Sequence, residues 1–184
     1  GRTVRSFLLA APVATVAAFV FGAIETGGFA IAPLYGLRLG FEAGEAAFLV
    51  SVVALGNVAF QVPIGMLSDR IDRRYVLLAS GLAGMAGALA LPFAAESRPA
   101  LYAVLFAWGG VSGALYTVGL AHLGARFTGA DLASANAAFV ILYNVGLIVG
   151  PPVVGGGMDL LDPHGFAWSL ALLFGLYVLV VLGR

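Results

Sequence analysis

Glu25 stands well inside a long apolar stretch, with no charge between Ser6 and Ile24 and apolar character resuming after it. A carboxylate at membrane depth costs roughly 2.5 kcal/mol or more unless it faces a water-filled cavity, pairs, or takes up a proton. Those escapes are the chemistry of proton coupling or of substrate contact. The alternative is an acid that reaches back toward the outer membrane surface. Further polar groups recur at helical spacing. Asn57 and Gln61 are one turn apart, Trp108, Ser112 and Tyr116 follow at four-residue intervals, and Asn136, Tyr143 and Asn144 share a sector. Singly, each could be interhelical glue. Together they describe an amphipathic cavity for a small organic molecule.

Two further patterns carry weight. Gly65-Met66-Leu67-Ser68-Asp69-Arg70-Ile71-Asp72-Arg73-Arg74 places five charges in a short gap between apolar stretches. So dense a knot does not lie in hydrocarbon, so it marks a membrane-surface hairpin. Topological anchoring explains Arg70, Arg73 and Arg74, but neither Gly65 nor the acid Asp69. Later, Gly146-Leu147-Ile148-Val149-Gly150-Pro151-Pro152-Val153-Val154-Gly155-Gly156 sets prolines among glycines. Proline removes a backbone donor and kinks a helix, so this segment reads as a bending point or a close contact.

The elements that must position these residues are membrane spans. Of 184 residues, 61% are hydrophobic and 10% charged, with mean hydropathy +1.04. A soluble surface needs about a quarter of its residues charged, so most of the chain faces lipid or other apolar helices. A span takes about 20 apolar residues, which predicts six: Ser6–Leu37, Glu45–Leu67, Arg74–Ala94, Pro99–Arg126, Asp131–Met158 and Gly165–Leu182. Pro99 and Asp131 fit helix starts, by fixed φ and by capping. The chain reads as one six-helix bundle over 1–184, with three-helix repeats at about 6–94 and 99–182. A short echo, Asn57-Val58 against Asn144-Val145, supports the repeat.

Arginine counts orient the bundle. With a cytoplasmic N-terminus, Arg2, Arg5, Arg70, Arg73, Arg74, Arg126 and Arg184 lie inside, and Arg38 and Arg98 outside. Both termini are then expected in the cytoplasm, with the protein in a plasma membrane, for a bacterium the inner one. The apolar run after Arg2 and Arg5 exceeds the ~7–15 residues of a signal peptide core, so no cleavable signal is expected.

The hairpin G-x-L-x-D-R-x-D-R-R resembles the signature loop of the major facilitator superfamily of secondary transporters. The proline segment resembles that superfamily's antiporter motif, G-x-x-x-G-P-x-x-G-G. The resemblance covers essentially the whole chain and implies one superfamily bundle, all-α, of two inverted three-helix repeats. It implies a gating latch at Gly65, Asp69, Arg70, Asp72, Arg73 and Arg74, with Asp69 meeting a helix end of an opposite half. It implies a helix-kink motif at Gly146, Gly150, Pro151 and Gly155. It also implies that the first, second, fourth and fifth helices line a central cavity, which places Glu25, Asn57, Gln61, Trp108, Tyr116, Tyr143 and Asn144 on a substrate or proton pathway. The arginine expected in the fourth helix of an N-terminal half is missing, with Trp108 in that region, so the chain reads as a C-terminal half, the N-terminal half being the alternative.

Transport of a small organic solute by alternating access follows as the expected function, as proton-coupled symport, antiport or efflux. No cofactor is expected beyond protons. The expected partners are the bilayer, the solute, and either the other half of the same transporter or a second copy. The competing reading is a membrane scaffold or sensor that kept the bundle without translocation. An enzyme is not expected, because His122 and His164 fall on opposite faces and no nucleophile–base spacing occurs. The chain has no lysine, and no phosphate-cradling loop for ATP. It has no cysteine for thiolate metal sites. Zero formal charge gives no footprint for nucleic acid.

Overall fold

The computed structural model describes residues 3–184, and every regular element among them is helical. In order these are α1 (Val4–Ala10), α2 (Pro12–Ile24), a one-turn π-helix (Glu25–Phe29), α3 (Ala32–Arg38), α4 (Ala43–Arg70), α5 (Arg73–Ala94), α6 (Arg98–Gly124), α7 (Gly129–Leu160) and α8 (Gly165–Leu182). Six stretches are long and apolar enough to cross a membrane. The first joins α2, the π turn and α3, and α4 to α8 supply the rest.

Several boundaries differ from expectation, for identifiable reasons. The first span does not begin at Ser6. Pro12 cannot donate to Leu8, so the chain breaks at Ala11 (φ −137°, ψ 60°) and α1 stands as a separate short helix. Thr3 caps it, accepting from the Ser6 amide at 3.2 Å. The charged hairpin is shorter than expected. α4 runs on to Arg70 and α5 starts at Arg73, so Gly65, Asp69 and Arg70 are helical and Ile71 and Asp72 alone connect the two helices. Asp131 is not a cap. Thr128 holds that position, and Asp131 lies in the first turn, where a carboxylate suits the helix dipole.

The core follows from which helices pair. The first span and α6 sit centrally. The first span packs on α7 and α6 on α4, while α5 and α8 pack on each other behind them. Two glycine seams let the paired backbones touch. A side chain at Gly22 would strike the Tyr143 carbonyl oxygen, and one at Gly146 the Phe19 carbonyl. The second seam repeats this arrangement: Gly56 faces the Phe106 carbonyl and Gly109 the Val53 carbonyl. In both seams each glycine meets the carbonyl three residues before its opposite glycine. Each seam therefore pairs one helix from the first three spans with one from the last three. The seams align Gly56 with Gly146, which is three residues off the Asn57/Asn144 register expected from sequence.

Opposite the arginine-rich end, two arginines tie the paired helices together. Arg38 reaches Asp159 at 2.7 Å and Asp162 at 3.2 Å. Arg98 pairs with Glu45 and lies over the Phe41 ring at 4.6 Å. α4 and α7 are the least covered spans, with 22% and 28% of their apolar windows buried against 61% in the first span. Both leave long faces for lipid or for another bundle.

Candidate functional site: a carboxylate among aromatic rings

Glu25 opens the π turn, where one extra residue per turn redirects the side chains that follow. Gly27 and Gly28 fill the turn, since side chains there would meet Gly150 and the Trp108 ring. Across the first seam the Tyr143 hydroxyl donates to Glu25 Oε2. The Tyr143 ring stacks on Phe21 (6.0 Å, 15°) and meets Tyr116 edge-on (5.4 Å, 72°), and Phe21 in turn lies 5.6 Å from Tyr116. Three spans thus each contribute a ring to one aromatic cluster, and its Tyr143 member reaches the carboxylate. Glu25, Tyr116 and Tyr143 are all half-buried, so the site opens on one side of the bundle.

Thr26, which sequence reasoning missed, explains how α7 carries its prolines. Pro151 has no N–H for the Leu147 carbonyl, and in a membrane that carbonyl needs another donor. The Thr26 hydroxyl supplies it at 2.9 Å across the seam, while also reaching the Gly22 carbonyl at 3.1 Å. α7 stays helical through Pro151 and Pro152, with Thr26 serving the carbonyl that Pro151 frees. Gly150 seats Thr26 and Gly27, whereas Gly155 has only Ile31 near, at 4.0 Å. The expected kink motif divides accordingly: Gly146 and Gly150 are contact glycines, and Gly155 is not. A Thr26→Val variant keeps the volume and removes the donor. It is expected to cost about 0.5–2 kcal/mol, read as a lower thermal midpoint in detergent.

The other expected pathway residues separate. Trp108 is a correction: at 1% exposure it is core, edge-on to Phe29 (5.5 Å) and Phe174 (6.2 Å). Ser112 is buried too, donating to the Trp108 carbonyl at 2.6 Å. Asn57 is half-buried against Gly113 in the α4–α6 seam, with its Oδ1 unpaired among the described residues. Gln61, one turn on, is exposed. Asn144 is also exposed and spends a donor on the Val140 carbonyl of its own helix, at 2.8 Å. Of the seven expected pathway residues, Glu25, Tyr116 and Tyr143 come together.

The charged cluster divides as well. Asp72 caps α5 by accepting from the Arg74 amide at 2.9 Å, and Arg74 Nη2 donates to the Val181 carbonyl at 2.7 Å in the last turn of α8. Those two residues bind the bundle to itself. Asp69 is 74% exposed and touches Arg73 at 3.4 Å. Arg70 is exposed, and a side chain at Gly65 would meet nothing within 4 Å.

Six apolar spans, four of them paired along two glycine seams, define a polytopic helical membrane protein. The pattern of the Major Facilitator Superfamily matches residues 13–184, and the chain belongs to that family. It is similar to YfkF of Bacillus subtilis, an uncharacterised MFS-type transporter, with 31% identity over 94% of this chain and 44% of the relative. It is also similar to YcaD of Escherichia coli, another uncharacterised MFS-type transporter, with 25% identity over 84% of this chain and 39% of the relative. The chain thus spans less than half the length of the curated relatives it matches.

Proposed function

We propose that this chain forms one six-helix half of a secondary transporter, which moves a small organic solute by alternating access and couples that movement to protons. The observation that carries this reading is the Glu25 carboxylate, held by Tyr143 on a half-buried face where three spans converge. A group there can hold a proton or a solute, and it can exchange either when the face opens. Alternating access needs two bundles rocking about such a midplane site. The uncovered α4 and α7 faces, with Gln61 and Asn144 exposed on them, are the surfaces for the second bundle. That bundle is the other half of the same transporter, with this chain as the C-terminal half, or else a second copy. The arginine bias supports cytoplasmic termini, and the bacterial relatives support an inner membrane.

Asp69 tests the two-bundle arrangement. In this half it is exposed with one weak ion pair, an arrangement suited to latching a helix end across the interface. In the full-length protein, Asp69→Asn is expected to impair solute movement while leaving membrane insertion and the thermal midpoint unchanged. Transport at the wild-type rate would remove the latch.

A further inference from the structure

A second polar cluster lies at the arginine-rich end, away from Glu25. Where α2 and α5 begin and α6 and α8 end, a cavity of about 370 Å³ is lined by Asp72, Arg74, His122, Arg126 and Arg184, above Pro12 and Val13. Its charge is lopsided. Three guanidinium groups face one carboxylate, which already accepts from the Arg74 amide. Among the described residues no acidic side chain forms an ion pair with Arg74, Arg126 or Arg184. Arg74 is fixed in position by the Val181 carbonyl and keeps further N–H donors. Planar guanidinium groups match phosphate oxygens, two donors to two acceptors.

An apolar groove of about 300 Å³ continues from this cavity, sharing Leu9, Pro12 and Arg184 and running along Val16, Leu179 and Val180. Leu9 and Leu179 are exposed on the outer surface of the bundle. The cavity sits at the helix ends, the depth at which phospholipid headgroups lie, and the groove runs toward the hydrocarbon. We propose that this is a binding site for an anionic phospholipid. Its phosphate lies among Arg74, Arg126 and Arg184, and one acyl chain lies in the groove. Such a lipid would fasten the first, third, fourth and sixth spans together at one end.

The test uses the full-length protein in neutral detergent. Lipid retention is read by native mass spectrometry and stabilisation by thermal unfolding, with phosphatidylglycerol, phosphatidylcholine of the same chains, glycerol phosphate and inorganic phosphate as probes. Phosphatidylglycerol is expected to be retained and to raise the thermal midpoint above phosphatidylcholine. Replacing Arg126 and Arg184 by Gln is expected to weaken retention by about fivefold for each arginine, and Val180→Trp, which fills the groove, to weaken it without changing charge. Equal retention of the two lipids, or unchanged retention in both variants, would overturn the site. Stabilisation by glycerol phosphate or inorganic phosphate equal to that by phosphatidylglycerol would overturn the lipid assignment and leave a soluble phosphate ligand.

Discussion

Gly146→Val is expected to damage the folded bundle severely, because the first span and α7 touch backbone to backbone there. A side chain at Gly146 would strike the Phe19 carbonyl, and Gly22 meets the Tyr143 carbonyl reciprocally. Both obstacles are backbone, so the first span and α7 must move apart along their length. Overpacking of this kind costs typically about 1–3 kcal/mol, which corresponds to a fall in thermal midpoint of roughly 2–12 °C for a unit of this size. The damage also reaches the site, because Tyr143 stands three residues before Gly146 and its bond to Glu25 crosses the separated seam. Gly156→Ala and Gly65→Ala, with nothing within 4 Å, are the controls and should not lower the midpoint, since alanine suits a helix interior better than glycine. Thermal unfolding of the three variants in one detergent checks the ranking.

Glu25→Gln carries the second large effect. The amide keeps the shape of the side chain and can still meet the Tyr143 hydroxyl, but it cannot bind and release a proton. Proton-driven solute accumulation is expected to fall to background, with membrane insertion intact. Tyr143→Phe removes the donor and leaves the ring stacked on Phe21. A hydrogen bond to a charged group is worth about 1.5–3 kcal/mol, so accumulation should drop by about ten- to a hundredfold and not vanish. Accumulation assays on both variants separate loss of the proton carrier from loss of its positioning.

The six spans were legible because charge and turn residues punctuate apolar runs, and hydrocarbon tolerates no other arrangement. The pairing of the spans was not legible from their polar stripes. Helical spacing gives the angle between two residues on one helix, but not the rotation of that helix in the bundle. Asn57 and Trp108 both looked like cavity residues by spacing, yet one is wedged in a seam and the other is core. In a membrane the apolar residues facing lipid and those facing protein are alike, so hydrophobicity does not mark the inner face. Glu25 was legible because an intramembrane carboxylate is costly wherever it points. Its partner Tyr143, on the fifth span, was one of several candidates until the seam brought the first span and α7 together.

Thr26 was hidden for a different reason. Its hydroxyl serves a carbonyl freed by a proline 125 positions away in the sequence, and no local signal connects the two. A sequence signal does exist in principle: a proline inside a span frees a carbonyl that a hydroxyl on a packed helix can serve, and Thr26 lies beside the Gly27-Gly28 pair that permits close approach. The correspondence between the two seams likewise lies in their glycines rather than in the asparagines. Close backbone contact constrains residue type more tightly than a polar group that can turn to solvent or to its own helix, as Asn144 does.

The most direct measurement compares proton-driven accumulation with solute counterflow in proteoliposomes of the full-length protein, wild type against Glu25→Gln. The solute is the first one found to collapse an imposed pH gradient through the wild-type protein. The expected result is that Glu25→Gln retains counterflow, so that the bundles still rock around bound solute, while accumulation against the gradient disappears. Accumulation at the wild-type rate without the carboxylate would contradict the assignment of Glu25 as the coupling group.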